Sequence, residues 1–150
     1  MNFSELKNVI IHESVSREKI LKLLSQLTSV TDSNGSLISS KDYGNFFSNL
    51  EPNTHIYVLE NSENQLIGMG TLLIESKLIH GGSKVAHIED VVIDKKYQGN
   101  GYGKILINNL IEKAKKFKCY KIILNCNEKN IGFYEKAGFQ QKNVEMSLYL

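Results

Sequence analysis

The sequence predicts a mixed α/β fold, a sheet with an antiparallel front and a partly parallel back flanked by helices. Three observations lead there. Helical and strand periodicities alternate along the chain, two neighbouring apolar runs are joined by hairpin chemistry, and a glycine-rich turn links a strand to an amphipathic helix late in the chain.

Asn8 to Glu13 reads as a short strand, followed by Ser16 as a helix cap with Ile20, Leu21, Leu24 and Leu27 at helical spacing. Thr28 to Ser36 is a polar loop containing Gly35. Ser39, with Asp42 three residues on, opens a second helix that presents Tyr43, Phe46, Phe47 and Leu50 on one face, and Pro52, the only proline, closes it. Ile56 to Glu60 and Leu66 to Glu75 are β-branched-rich runs joined by the turn residues Asn61, Ser62, Glu63 and Asn64. His80, Gly81, Gly82 and Ser83 then turn the chain into the run Val85 to Ile93. Gly99 to Gly103 precede a helix from Tyr102 to Phe117 with Ile105, Leu106, Leu110, Ile111 and Ala114 inward. Tyr120 to Cys126 is a strand, Asn130 to Ala137 a short helix with Gly138 as its left-handed cap, and Val144 to Leu150 a last strand. This order disfavours a doubly wound nucleotide fold, whose glycine loop follows the first strand.

With 150 residues, 41% hydrophobic and 23% charged, the chain fits one globular domain over residues 1–150 and is neither disordered nor fibrous. The net charge of +2 argues against a polyanion-coating protein. From Lys77 to Lys142, however, 13 lysines face 6 acids, whereas the rest holds 5 bases against 10 acids. The C-terminal half is therefore electropositive. Cys119 and Cys126, seven apart on one strand, are separated by roughly 20 Å or more and cannot pair, and no zinc-type spacing is present. No stretch approaches the ~18 apolar residues of a membrane span, and Met1 to Lys7 has no leader character. A cytoplasmic protein with reduced thiols is expected.

Gln98, Gly99, Asn100, Gly101, Tyr102 and Gly103 sit where free N–H groups of a first helical turn cradle a phosphate. A P-loop fails here, because Gln98 and Ile105 stand at its two ends, and a dinucleotide fingerprint fails because only Tyr102 separates Gly101 from Gly103. A ligand-free glycine turn is the plain alternative.

The same six residues resemble the pyrophosphate loop, Gln/Arg-x-x-Gly-x-Gly/Ala, of the GNAT N-acetyltransferases, and Asn130, Ile131, Gly132, Phe133, Tyr134, Glu135, Lys136, Ala137, Gly138 and Phe139 resemble that family's second signature. Within the family, His87 to Val92, Tyr97 to Gly103, Cys119 to Leu124, Cys126 and Glu128 to Lys136 are similar to the glucosamine 6-phosphate branch, a match covering Lys77 to Met146. The resemblance implies the GNAT acyl-CoA N-acyltransferase fold with a splayed sheet, acetyl-CoA as co-substrate without a metal, and acetyl transfer to the 2-amine of glucosamine 6-phosphate in amino-sugar synthesis. It assigns Val91, Val92 and Ile93 to the pantetheine through their backbone, with the Val91 N–H as oxyanion donor. Gln98, Gly99, Asn100, Gly101, Tyr102, Gly103 and Lys104 would hold the pyrophosphate, with Asn125, Asn130, Tyr134 and Lys136 completing the cofactor set. Thr28, Lys77, His80, Tyr120 and Lys121 become phosphate candidates, and Glu89 and Asp90 would recognise sugar hydroxyls or the amine. It also implies a homodimer joined through the C-terminal strand, with neither nucleic acid nor membrane as partner.

Chemistry supports parts of this. A phenol with a pKa of about 10 can donate to a departing thiolate whose acid has a pKa of about 8.5, so Tyr134 suits a general acid, although a Phe-Tyr pair also serves packing. An aminosugar titrates near the α-amino range, so no strong base is required. Glu89 and Asp90 fall on opposite faces of a regular strand unless a bulge intervenes, and a surface ion pair is their plain alternative. Lys77 and Lys121 read otherwise as surface lysines, and His80 as a loop histidine. Two positions depart from the family pattern. Asn125 replaces an acid and cannot take a proton, and Tyr149 replaces a phosphate-binding arginine, leaving Arg17 as the chain's only arginine. Acetylation of another amine, or a non-catalytic acetyl-CoA-binding module, are the competing readings.

Overall fold

In the computed structural model, which describes residues 1–6, 16–31 and 37–149, five strands form one sheet in the order β1-β2-β3-β4-β5. They are β1 (Asn2–Glu5), β2 (Thr54–Glu60), β3 (Leu66–Ser76), β4 (Lys84–Ile93) and β5 (Cys119–Ile123). The first four pair antiparallel, and β5 joins β4 parallel. Helices α1 (Arg17–Leu24) and α2 (Ser40–Ser48) precede β2, α3 (Tyr102–Lys116) connects β4 to β5, and α4 (Ile131–Glu135) follows β5. The mixed sheet with flanking helices is the architecture expected from the order of elements.

Local chemistry explains the boundaries. Ser16 and Ser39 accept the N–H groups of Lys19 and Asp42, satisfying donors that the first helical turns leave open. Between β2 and β3, Asn61 Oδ1 accepts the N–H groups of Glu63 and Gln65, each at 2.9 Å, which closes the hairpin. The β3–β4 turn is built from left-handed residues, with His80, Gly81 and Gly82 at φ of 56°, 69° and 76°.

The sheet is covered on both faces. On one, Leu106, Ile107, Leu110 and Ala114 of α3 pack on Tyr57, Leu59, Leu72, Ile74, Ala86 and Ile88, and Tyr134 joins this cluster. On the other, Ile20 and Leu23 of α1 pack on Ile56, Val58, Met69 and Val92, with Tyr43 and Phe47 of α2 alongside. Each such large aliphatic side chain contributes about 1.5–3 kcal/mol by leaving water, which outweighs the propensity terms of the short helices.

Several boundaries differ from the expectation. The strand read at Asn8 to Glu13 lies outside the described residues, and the first strand observed is Asn2–Glu5, whose Phe3 stacks on Tyr57 with ring centroids 4.9 Å apart. Ile105 and Phe46 face outward, because Ile107 takes the inward place on α3 while Tyr43 and Phe47 fill that of α2. Helix α1 ends at Leu24, so Leu27 falls beyond it and is exposed. β5 stops at Ile123, which leaves Cys126 in the following loop; both cysteines are unpaired. Val144 to Tyr149 forms no strand, and Val144, Met146, Leu148 and Tyr149 are all exposed, since no described neighbour offers this segment a ladder.

Two irregularities in β4 shape the site. Met69 pairs with Val92 and Thr71 with Glu89, so the single residue Gly70 faces both Asp90 and Val91 across a β-bulge. Asp90 takes the left-handed region there, at φ 51°. β4 and β5 also part early, their last pair being His87 with Ile123, so among the described residues Ile88 to Ile93 has no strand along its outer edge.

Candidate functional site

The open edge of β4 leads directly into the glycine loop. After the turn Lys95–Tyr97, Gly99 and Gly101 adopt φ of 79° and 82°, and at neither would a Cβ meet another atom within 4 Å. Backbone is thus presented to solvent in front of α3, at the positive end of a 15-residue helix. The loop is held from within and behind. Gln98 Nε2 donates to the Ile93 carbonyl at 2.9 Å, and Asn100 Nδ2 donates to Tyr97 and Gln98 carbonyls. Tyr97 donates its hydroxyl to Gln65 Oε1 at 2.6 Å, and Gln26 Oε1 accepts the Lys95 N–H at 2.8 Å. These side chains fix the loop, which leaves its backbone and the exposed Lys104 and Lys136 as the groups that could meet an anion. An unpaired strand edge followed by an unobstructed glycine nest fits an extended amide-bearing arm ending in a pyrophosphate, which is the build of acetyl-CoA.

Tyr134 closes the site from α4. Its ring lies 4.9 Å from that of Phe133 and 6.0 Å from that of Phe139, both edge to face. Phe133 in turn packs over the loop, where a Cβ on Gly103 would stand 3.1 Å from Phe133 Cζ. Only 9% of Tyr134 is exposed, and its hydroxyl makes no hydrogen bond among the described residues. Burial pushes its phenol up, and the nearby Cys126 and Glu89 push it further. A protonated, unengaged hydroxyl therefore persists through the neutral range.

Glu89 and Asp90 are both exposed. Partial desolvation lifts the Glu89 carboxyl above the usual range, with Asp90 adding to the rise, His87 opposing it and Glu145 adding slightly. The bulge removes the expected divergence of the two acids: Thr71, the register partner of Glu89, donates its hydroxyl to Asp90 Oδ2 at 3.3 Å.

The phosphate candidates divide into two groups. His80 and Tyr120 meet with ring centroids 4.9 Å apart at the Lys84 end of β4, next to Lys121, which pairs with Val85. Thr28 lies two residues beyond Gln26, whose side chain accepts the Lys95 N–H just past the Ile93 end of β4. Lys77 is paired with Glu75, which also meets His87 Nε2 at 2.9 Å; these two bonds, that to Lys77 first, hold the Glu75 carboxyl below its usual range. Arg17 donates to the Ile38 carbonyl, tying α1 to the approach of α2. Asn125 and Asn130 are exposed on the β5–α4 connection. Thr71, Gln26 and Gln65 were not singled out from sequence; Thr71, a hydroxyl inside an apolar run, is the one that carried a signal. Among the described residues no group of His, Cys, Asp and Glu gathers to hold a metal, and no helix is long and apolar enough to cross a membrane.

Comparison with known proteins agrees with this geometry. The model of the Acetyltransferase (GNAT) family matches residues 18–139. A glucosamine 6-phosphate N-acetyltransferase from Candida albicans is 40% identical over 129 residues, covering 84% of this chain and 83% of the relative. The Arabidopsis thaliana protein of the same description is 33% identical over 137 residues, covering 89% of each. Among solved structures, a Trypanosoma brucei acetyltransferase superposes with a TM-score of 0.83 at 32% identity over 99% of both chains. The Arabidopsis glucosamine-6-phosphate N-acetyltransferase gives 0.73 at 30% identity, also over 99% of both. With its open β4 edge, its glycine nest and these relatives, the chain belongs to the GNAT acetyltransferase family.

Proposed function

We propose that the chain is a single-domain enzyme that moves the acetyl group of acetyl-CoA to the 2-amine of glucosamine 6-phosphate, giving N-acetylglucosamine 6-phosphate and CoA. The observation that carries the substrate is the 40% identity to the Candida enzyme, which extends over 84% of this chain. Acetyl-CoA supplies the activated thioester. The backbone of Val91, Val92 and Ile93 aligns its arm, the Gln98 to Lys104 loop binds its pyrophosphate, and the Val91 N–H faces the oxygen on which charge develops. Asp90 holds the substrate ammonium, and Glu89, its carboxyl raised mainly by desolvation, takes one proton from it, so that the neutral amine attacks the thioester carbon. As the C–S bond breaks, the nitrogen passes its remaining extra proton to the phenolate that Tyr134 leaves behind. Tyr134 donates to the leaving sulfur. His80, Tyr120 and Lys121 receive the sugar phosphate.

A thiol-release assay with acetyl-CoA and glucosamine 6-phosphate, glucosamine, spermidine or a peptide amine tests this. Release with the phosphorylated sugar alone is expected. Release with another amine moves the substrate, a reading that Asn125 and the exposed Tyr149 favour, and none with any amine leaves an acetyl-CoA-binding module.

The chain acts as a homodimer. Support comes from the exposed Val144, Met146, Leu148 and Tyr149, whose segment alternates like a strand and can add to a sheet edge of a second copy. A chain ending at residue 143 then sediments as a monomer, whereas the full chain sediments at twice its mass. Two unpaired cysteines support a reducing compartment, the cytoplasm, where the product feeds UDP-N-acetylglucosamine synthesis.

A further inference from the structure

We propose that Thr71 is a positioning residue whose buried hydroxyl holds the Asp90 carboxylate on the Glu89 side of the sheet, so that both acids face the substrate amine. The inference rests on the acetyl-transfer reading above.

In a regular strand, consecutive side chains point to opposite faces, so Glu89 and Asp90 would diverge and only one could reach the amine. The bulge changes this by placing Asp90 and Val91 together opposite Gly70 and by turning Asp90 to φ 51°. That conformation costs an aspartate about 1–2 kcal/mol, and something must hold its side chain in a defined direction. Thr71 does so. It sits directly across from Glu89 and donates to Asp90 Oδ2 at 3.3 Å, so one short side chain ties the strained residue to the position of its neighbour. Thr71 is 8% exposed, lies in a strand otherwise buried through apolar contacts, and has no other side-chain hydrogen bond among the described residues. A valine would fill the same volume without placing a hydroxyl in an apolar strand. The hydroxyl's use is therefore the carboxylate. The adjacency of the acids also appears in Glu89, where the Asp90 charge adds to the effect of burial. The other charged groups acting on Glu89 are His87, on its own strand, and Glu145 from the C-terminal segment.

The bulge matters for a second reason. It carries Val91, whose N–H faces the thioester, so the clamp that orients the amine-binding acid also fixes the backbone next to the acyl group. Losing the hydroxyl should be felt first by the amine, because the Asp90 side chain is freed while the glycine loop and α3 are untouched.

The test compares full-length wild type, Thr71→Val and Thr71→Ser by steady-state thiol release, varying each substrate in turn, with melting temperatures measured alongside. Thr71→Val is expected to lower kcat/KM for the amine about tenfold, chiefly through its KM, as loss of a hydrogen bond to a charged group does. The acetyl-CoA KM stays within about twofold and the melting temperature is unchanged, while Thr71→Ser keeps the wild-type amine KM. A Thr71→Val enzyme equal to wild type overturns the proposal. So does a loss shared by both substrates together with a lower melting temperature, the mark of a merely structural threonine, or a serine variant that fails to rescue. A wild-type chain that releases no thiol with any amine overturns the acetyl-transfer reading, and this proposal with it; an active wild type with an unaffected valine variant overturns this proposal alone.

Discussion

Replacing Tyr134 by phenylalanine separates chemistry from packing more cleanly than any other change in the site. The ring keeps its edge-to-face contacts with Phe133 at 4.9 Å and Phe139 at 6.0 Å. The hydroxyl that is lost has no hydrogen-bond partner among the described residues, so folding stability should change by less than about 1 kcal/mol. Tyr134→Ala, by contrast, empties a position that is 9% exposed and should cost about 3–5 kcal/mol. In catalysis the ranking inverts. A proton donor aimed at a leaving thiolate contributes at least about a hundredfold, or about 3 kcal/mol of barrier, all of it in kcat. Burial raises the phenol above 10, and the active form is the protonated one, so wild-type turnover loses this acid only above pH 10. The assay is thiol release from pH 6 to 10 with acetyl-CoA and glucosamine 6-phosphate each varied up to saturation, with thermal melts of both proteins. A Tyr134→Phe enzyme with wild-type kcat refutes the acid role. One whose acetyl-CoA KM rises while its melting temperature falls shows that the hydroxyl serves structure.

Other outcomes follow from the backbone and the core. Gly101→Ala forces an L side chain to φ 82°, a cost of about 1–2 kcal/mol, and since nothing lies within 4 Å of the new Cβ, relaxation of the loop should appear as a raised acetyl-CoA KM in the same assay. Gly70→Ala sets a Cβ 2.9 Å from Leu110 Cδ1 and should destabilise by about 1–3 kcal/mol in urea titrations; a second change, Leu110→Ala, should then cost less than it does alone. Tyr57, 1% exposed, has its phenol pushed up to about 12 by burial and Glu5, against 10 when unfolded. The folded state holds that proton more tightly, so this stabilisation is complete below pH 10 and is lost as pH climbs from 10 to 12. Tyr57→Phe should flatten that part of the alkaline denaturation curve.

Features that depend on nearby residues were readable in the sequence. Ser16 and Ser39 cap helices, Asn61 closes a hairpin, and the spacing of Gly99, Gly101 and Gly138 marks left-handed turns, each for a local steric or hydrogen-bonding reason. What escaped was decided at a distance. Asn2–Glu5 carries little strand character and forms β1 because β2 lies beside it and Phe3 stacks on Tyr57. The bulge has a non-glycine residue, Asp90, in its left-handed position, and it becomes visible only in the register of β4 against β3. Val144 to Leu150 alternates like a strand, but periodicity specifies a face and cannot supply a partner. In the site, the glycine loop and Tyr134 came from local motifs, whereas the grouping of Thr71 with two acids required the register of β3 against β4.

The contact of Phe133 with Gly103 makes the protein a gauge of length. The ring that packs against Gly103 belongs to the residue next to Tyr134, so under the proposed roles the anchor for a donor's pyrophosphate and the group that meets its sulfur are held at one fixed spacing. A carrier is then measured between two fixed stops. Acetyl thioesters on a truncated arm, such as S-acetylcysteamine, can touch one stop at a time, and adding free pyrophosphate does not restore what the missing arm would have spanned.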